Sequence, residues 1–143
     1  MSRHGSHFVY IIAPVVDGKY SRPVKVGHAK NPYARLGSIQ TGSHQTLEVA
    51  ATFEFPSKRV ACDVERSFHD VLADKRVRGE WFDMGTLSAM RSICTCVRVG
   101  LVMSTKLDEQ ERRHMRDLSG VTRAEEILRE YGYSVHEWDG DDE

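Results

Sequence analysis

The chain has 143 residues, of which 40% are hydrophobic and 29% are charged, and its formal net charge is −1. This composition is typical of a globular protein with one main domain and excludes a disordered polyelectrolyte. No apolar run approaches the roughly 20 residues that span a bilayer, and residues 1–7 lack the apolar centre of a signal peptide. The sequence therefore predicts a cytoplasmic protein with no membrane partner.

The chain is predicted to begin with a flexible leader, residues 1–7, followed by a β-strand over Phe8–Ile12. The strand is rich in β-branched and aromatic residues. Both of its faces are apolar, which predicts a central strand covered on two sides. Pro14 is expected to end it, since proline cannot donate to a sheet. Asp17 and Gly18 lie in a connection that is longer than a tight hairpin turn.

A second strand is predicted from Pro23 to Val26, before Gly27 interrupts the pattern. Val24 and Val26 share one face of this strand, so Lys25 is expected to point to the other face. An asparagine cap followed by proline then predicts the start of a helix at Asn31-Pro32. The predicted inward residues of this helix are Tyr33, Leu36 and Ile39, and Arg35 flanks them.

Strand, turn, strand and helix thus follow one another within about thirty residues, which brings several polar groups within reach of one another. They are a phenol, an amine, an imidazole and a guanidinium, carried by Tyr10, Lys25, His28 and Arg35. This mixture suits a surface that handles phosphate better than it suits a core.

A third strand is predicted over Leu47–Phe55, and a second helix from Pro56-Ser57 to about Ala73. At 100° per residue the apolar positions of this helix fall on one face, with Glu65 on its margin. A carboxylate at the edge of a core is held by its neighbours and can still meet solvent or a metal. His69 lies one turn further on, so it is either a catalytic group or the partner of Glu65 in a simple i,i+4 pair.

The segment from Arg76 to Phe82 is predicted to be a short final strand, with Trp81 or Phe82 packing inward. The remainder is predicted to be helical, as an extension over residues 85–138, followed by an acidic tail over residues 139–143. Three cysteines are too few for a disulfide framework, and an odd number cannot all be paired within one chain.

With these residues identified, the chain resembles the GIY-YIG nuclease superfamily over about residues 8–84. The resemblance is carried by Val9-Tyr10-Ile11, by Lys25-Val26-Gly27 with the following HAKNPYARL, and by Glu65 on a helix. The segment from Val26 to Ile39 is similar to the catalytic module of excision-repair incision nucleases. ERSFHDVL and GEWF are more similar to the small phage and bacterial branch of the superfamily.

The resemblance implies an α/β fold of the α+β type, with a small three-stranded antiparallel sheet flanked by helices. It also implies a DNA endonuclease that uses one Mg²⁺ or Mn²⁺ ion. Tyr10 matches the tyrosine that helps to activate the attacking water, and Arg35 matches the arginine that contacts the scissile phosphate. Glu65 matches the only metal-binding carboxylate, and Gly27 matches the glycine of the second motif.

The match is incomplete at the second motif, where Lys25 stands in place of the usual tyrosine and His28 follows three residues later. This arrangement is similar to that of some restriction-type members. Tyrosine has an ordinary pKa of about 10, so either the pKa of Tyr10 is depressed or Lys25 or His28 takes the proton. The alternative to an enzyme is a catalytically weakened module of the same fold that binds DNA. The C-terminal helices are predicted to bind a second copy of the chain or another protein.

Overall fold

The computed structural model describes residues 6–103, with side chains described as far as residue 97. The elements in chain order are β1 (His7–Val16), β2 (Lys19–Tyr20), β3 (Val24–Ala29), α1 (Pro32–Gln40), β4 (Leu47–Phe55), α2 (Lys58–Val71), a 3₁₀ turn (Ala73–Lys75), β5 (Arg76–Arg78), β6 (Trp81–Phe82) and α3 (Thr86–Met103).

The strands form one antiparallel sheet, which confirms the predicted α+β class. β1 is central as predicted, because it pairs with β3 on one side and with β4 on the other. The described residues contain six strands, more than the three-stranded sheet that the resemblance implies. Two of the additional strands come from Arg76–Phe82, which folds as a hairpin rather than as one strand because Gly79 turns the chain with a φ of +56°.

The prediction that Pro14 ends β1 is wrong, because the strand continues to Val16. The carbonyl of Pro14 accepts a hydrogen bond of 2.7 Å from the backbone N–H of Ser21. The backbone N–H and C=O of one residue point toward the same neighbouring strand of a sheet. The N–H that proline lacks would therefore also have pointed toward Ser21. The ladder on the other side of β1 is therefore intact, and Pro14 pairs there with Leu47 of β4.

Helices cover both faces of the sheet and divide the core in two. On the first face, Tyr10 and Ile12 of β1 pack against Leu36 and Ile39 of α1. On the second face, the alternate residues of β1 pack against α2 and α3, in a larger core that includes Val9, Ile11, Phe53, Phe55, Val60, Val64, Phe68, Phe82, Met90 and Ile93. Trp81 or Phe82 was predicted to pack inward, and Phe82 is the fully buried one of the two, while Trp81 is partly buried.

Helix α1 begins where the sequence predicts, with the side chain of Asn31 accepting hydrogen bonds from the N–H groups of Tyr33 and Ala34. The prediction that Tyr33 faces the core is wrong, because 66% of its surface is exposed. Pro32 is the buried residue of the first turn. It precedes Leu36 by four residues and Ile39 by seven, which is the spacing of one helix face.

Helix α3 belongs to the predicted C-terminal extension, yet its first turns pack into the larger core through residues such as Met90 and Ile93. The predicted boundaries of the domain, and the predicted pairing of C-terminal helices, stay predictions. The acidic tail and the rest of the extension lie outside the described residues. Within residues 6–103, no helix is both long enough and apolar enough to cross a membrane.

Candidate active site

The site is organised around Gly27, whose Cα is paired with that of Tyr10 across β1 and β3. The Tyr10 side chain lies over this glycine. A Cβ built at position 27 would lie 2.5 Å from the Tyr10 hydroxyl oxygen and 2.9 Å from Oε1 of Glu80. Any larger residue at this position would collide with both groups. Gly27 therefore allows a phenol and a carboxylate to meet directly above the strand.

Glu80 reaches this position from the turn between β5 and β6. Its backbone carbonyl accepts a hydrogen bond of 3.0 Å from the N–H of Val26, which fixes the turn against β3. Its Oε1 atom lies 3.2 Å from Nζ of Lys25, in a partly buried ion pair. The same ammonium lies 5.6 Å from the ring centroid of Trp81, within range of a cation–π interaction. Lys25 therefore lies on the face of the sheet that carries Tyr10, and it points away from the face of Val24 and Val26 as predicted.

Arg35 approaches the Tyr10 hydroxyl from helix α1. Burial raises the pKa of Tyr10 above its ordinary value, the charges of Glu80 and Glu65 raise it as well, and the nearby Arg35 acts in the opposite direction. Of the alternatives that the sequence left open, a depressed pKa for Tyr10 is wrong, because its pKa is raised. Tyr10 is therefore a protonated phenol at neutral pH.

Glu65 lies on α2, which covers the second face of the sheet, and it reaches the site around the edge of β3. β6 pairs with β3 at Val24 and Lys25, and the N–H of Val26 bonds to the Glu80 carbonyl, so within residues 6–103 this edge of β3 has no strand partner beyond Val26. One turn along α2 from Glu65, His69 donates from Nε2 to the carbonyl oxygen of Val26 at 3.0 Å. His69 thus holds the helix against the strand edge. This bond supports a structural role for His69, one of the two left open by the sequence.

The carboxyl group of Glu65 has an unusual environment. Burial raises its pKa, and so do the charge of Glu80 and a hydrogen bond shared with Glu80, while His28 and His69 act in the opposite direction. Its Oε2 atom is buried and has no hydrogen-bond partner among the residues that the structure describes. A buried carboxylate oxygen without a donor is costly, so this atom has the environment of a group that is completed by a cation.

Replacing Glu65 with glutamine is expected to stabilise the protein at neutral pH in the presence of a chelator. A raised carboxyl pKa means that the folded state binds the proton more tightly than the unfolded state, so stability falls as pH rises through the folded-state pKa. Removing the charge should raise the free energy of unfolding by about 1 kcal/mol, or the melting temperature by roughly 3 °C.

The measurement is a series of thermal melts between pH 3 and pH 8, with the exposed Glu48→Gln as the matched control. The gain should disappear below about pH 4, where glutamate is protonated in both states, and the control should change by less than about 0.5 kcal/mol. A Glu65→Gln variant that melts below wild type at pH 8 would show that the carboxylate is already stabilised by the fold.

His28 was predicted to be one of the catalytic residues. It lies on the face of the sheet opposite the one that carries Tyr10. It pairs with Val9 in the sheet register. Its Nδ1 atom lies 2.9 Å from Nε2 of His7, and its Nε2 atom lies 3.4 Å from Sγ of Cys62 on α2. Its charge nevertheless lowers the pKa of Glu65, so it flanks that carboxylate from the side opposite Tyr10.

The donor atoms at this point suit a hard divalent cation. Magnesium and manganese prefer carboxylate oxygen and keep several water ligands. Glu65 and Glu80 provide such oxygens side by side, and one of them is buried without a partner. In the part of the chain that the structure describes, no group of three His, Cys, Asp or Glu side chains is arranged to hold a metal. An ion here would therefore be coordinated largely by water and substrate.

The structure thus brings together four of the five predicted residues, Tyr10, Lys25, Arg35 and Glu65, and places His28 beside them across the strand. The residue that sequence reasoning missed is Glu80. The sequence signal for Glu80 is its position in a turn, directly after Gly79 and directly before Trp81, the first residue of β6.

The T5orf172 domain family matches residues 7–98, which is well over half of the chain. The chain belongs to the T5orf172 domain family. The matched range contains every residue of the site and extends into α3, so the helix that completes the larger core is part of the T5orf172 domain. No curated protein and no solved structure matches the chain.

Proposed function

We propose that this T5orf172 domain is a metal-dependent DNA endonuclease that hydrolyses phosphodiester bonds at a site of the GIY-YIG type. The observation that carries the proposal is that positively charged and negatively charged side chains come together near Gly27. On one side Arg35 contacts the Tyr10 hydroxyl. On the other side Glu65 and Glu80 place two carboxyl groups together, one of them with a buried oxygen that has no partner.

Glu65 would hold the cation, with Glu80 as the second nearby carboxylate. A bound divalent ion supplies positive charge to the phosphate and lowers the pKa of coordinated water. Arg35 offers a planar fork of N–H donors that can bind two phosphate oxygens, and Lys25 adds a second positive charge on the same face. The site therefore combines the charges needed to stabilise a phosphodiester as its negative charge grows.

Tyr10 has the role of orienting the attacking water. Because burial raises its pKa, the phenol keeps its proton at neutral pH and is a poor base. Its hydroxyl lies near Arg35 and can donate a hydrogen bond to a neighbouring oxygen. Another group must then remove the proton from the attacking water. Lys25 is unsuited to act as this base while its ammonium is paired with Glu80.

The test is to incubate the purified protein with supercoiled, linear and branched DNA in Mg²⁺, in Mn²⁺ and in EDTA. Nicked or linear products are expected only with a metal, and Glu65→Gln should reduce the rate at least about 100-fold. Cleavage that is equal in wild type and Glu65→Gln would mean a contaminating nuclease or a different site. The three substrates also reveal whether the enzyme prefers a DNA structure.

The second candidate is a DNA-binding module of the same fold with weakened chemistry. The ion pair between Lys25 and Glu80 favours it, because it neutralises a charge where the second motif usually has tyrosine. This candidate predicts DNA binding that weakens with salt and falls on Arg35→Ala, and no cleavage with any divalent metal. Cleavage by wild type that is lost in Glu65→Gln would eliminate it.

A further inference from the structure

A group of basic side chains lies beside the proposed site and has no part in the chemistry assigned above. It consists of His7 at the start of β1, His28 in β3, Lys30 in the loop before α1, and Lys58 in the first turn of α2. We call these four residues the basic surface. Both lysines are exposed. No acidic residue occupies the first turn of α1 or α2, the two helices that begin next to these lysines.

The charges of these residues act on one another. Burial lowers the pKa of His7, and the charges of His28, Lys58 and Lys30 lower it further. A histidine whose pKa is lowered in this way is uncharged at neutral pH. Lys30 and Lys58 carry positive charge on the basic surface, and the imidazoles of His7 and His28, whose nitrogens lie 2.9 Å apart, add hydrogen-bonding groups.

The basic surface is directly connected to the site through α2. Lys58, Cys62, Glu65 and His69 follow one another at spacings of four, three and four residues, which places them along one side of the helix. Lys58 precedes Glu65 by seven residues, or about 10 Å along the axis. Phosphates of one strand are spaced about 3.4 Å apart along a DNA duplex, so they cover this separation within about three nucleotides.

We propose that the basic surface binds the backbone phosphates of the DNA next to the phosphodiester held at Glu65. The proposal rests on the proposed function, because it places a nucleic acid relative to that site. It assigns Lys30 and Lys58 to sequence-independent binding of phosphate. Such contacts release counterions, so each one contributes to the salt dependence of binding.

The experiment measures the affinity of the full chain for a fluorescently labelled 20-base-pair duplex in EDTA, at several salt concentrations. Lys58→Gln is expected to weaken binding about three- to tenfold near 0.1 M salt and to reduce the slope of log K against log salt by about 1. The double variant Lys30→Gln/Lys58→Gln should reduce that slope by about 2. Because both side chains are exposed, thermal melts should show no change in stability.

The matched control is Lys19→Gln. Lys19 pairs with Val16 at the far end of β1, about 30 Å from His7, so its loss should leave the affinity and the slope at wild-type values. The proposed role of the basic surface would be wrong if Lys58→Gln left the slope of log K against log salt unchanged, or if Lys19→Gln lost as much DNA affinity as Lys58→Gln. The endonuclease proposal would still stand in that case, provided that cleavage persists. Wild-type protein that neither binds nor cleaves DNA would overturn both.

Discussion

Replacing Gly27 with alanine is expected to destabilise the protein by about 1–3 kcal/mol and to remove DNA cleavage at the same time. The new methyl group would lie 2.5 Å from the hydroxyl oxygen and 2.8 Å from Cζ of Tyr10. The Tyr10 side chain is 1% exposed and packed in the core under α1, so it cannot move aside freely. Oε1 of Glu80, at 2.9 Å, would be displaced as well.

Urea unfolding and the cleavage assay measure the two effects, and Gly37→Ala is the matched control. Gly37 lies in α1 with no atom within 4 Å of an added Cβ, so alanine there should stabilise the helix by about 0.5–1 kcal/mol. Adding Tyr10→Phe to Gly27→Ala removes the atom in closest contact and should recover part of the lost stability. Wild-type stability and cleavage in Gly27→Ala would show that the phenol does not lie over position 27.

Replacing Arg35 with alanine is expected to lower the cleavage rate by about 10²–10³ and to leave the fold unaffected. Arg35 is exposed on α1 and is not part of either core, so the free energy of unfolding should change by less than about 0.5 kcal/mol. Its guanidinium lies near enough to the Tyr10 hydroxyl to affect its pKa, on the side of the site where we propose that the phosphate binds. The loss should appear in kcat rather than in KM, because the charge it stabilises develops in the transition state.

Two further variants make this result specific. Arg35→Lys keeps the charge but loses the planar fork of donors, so it should recover only part of the rate. Arg22→Ala removes an arginine that pairs with Asp83 away from Tyr10, and it should cleave at the wild-type rate. A loss of cleavage in Arg22→Ala as large as that in Arg35→Ala would indicate a general effect of positive charge and not a contact at the active site.

Most elements of the fold could be predicted because each has a clear local signal. The strand over Leu47–Phe55 has the predicted bounds, and α2 follows its capping residue Ser57, whose hydroxyl accepts from the N–H of Val60. The errors arose where a tertiary contact decides the outcome. Pro14 was expected to end β1, yet its missing donor points toward Ser21 and leaves the pairing with β4 intact.

The proposed site was only partly predictable, since it depends on which face and which edge each residue occupies. The sequence pattern gave the strand faces of Tyr10 and Lys25 correctly, because side chains alternate along a strand. It contained no information on how α2 brings Glu65 around the edge of β3. Glu80 could not be found in this way, because its position depends on the left-handed turn at Gly79 and on a backbone bond to Val26.

Glu80 is held near Glu65 by a short hairpin at one edge of the sheet. β5 and β6 have three and two residues, and every residue of β5 is exposed. Short exposed strands open more readily than the rest of a domain. A transient opening of this hairpin would separate the two carboxyl groups while both cores stay closed. The proposed ion site could therefore be disrupted reversibly, by a local fluctuation far smaller than unfolding, and amide hydrogen exchange in β5 would report how often that occurs.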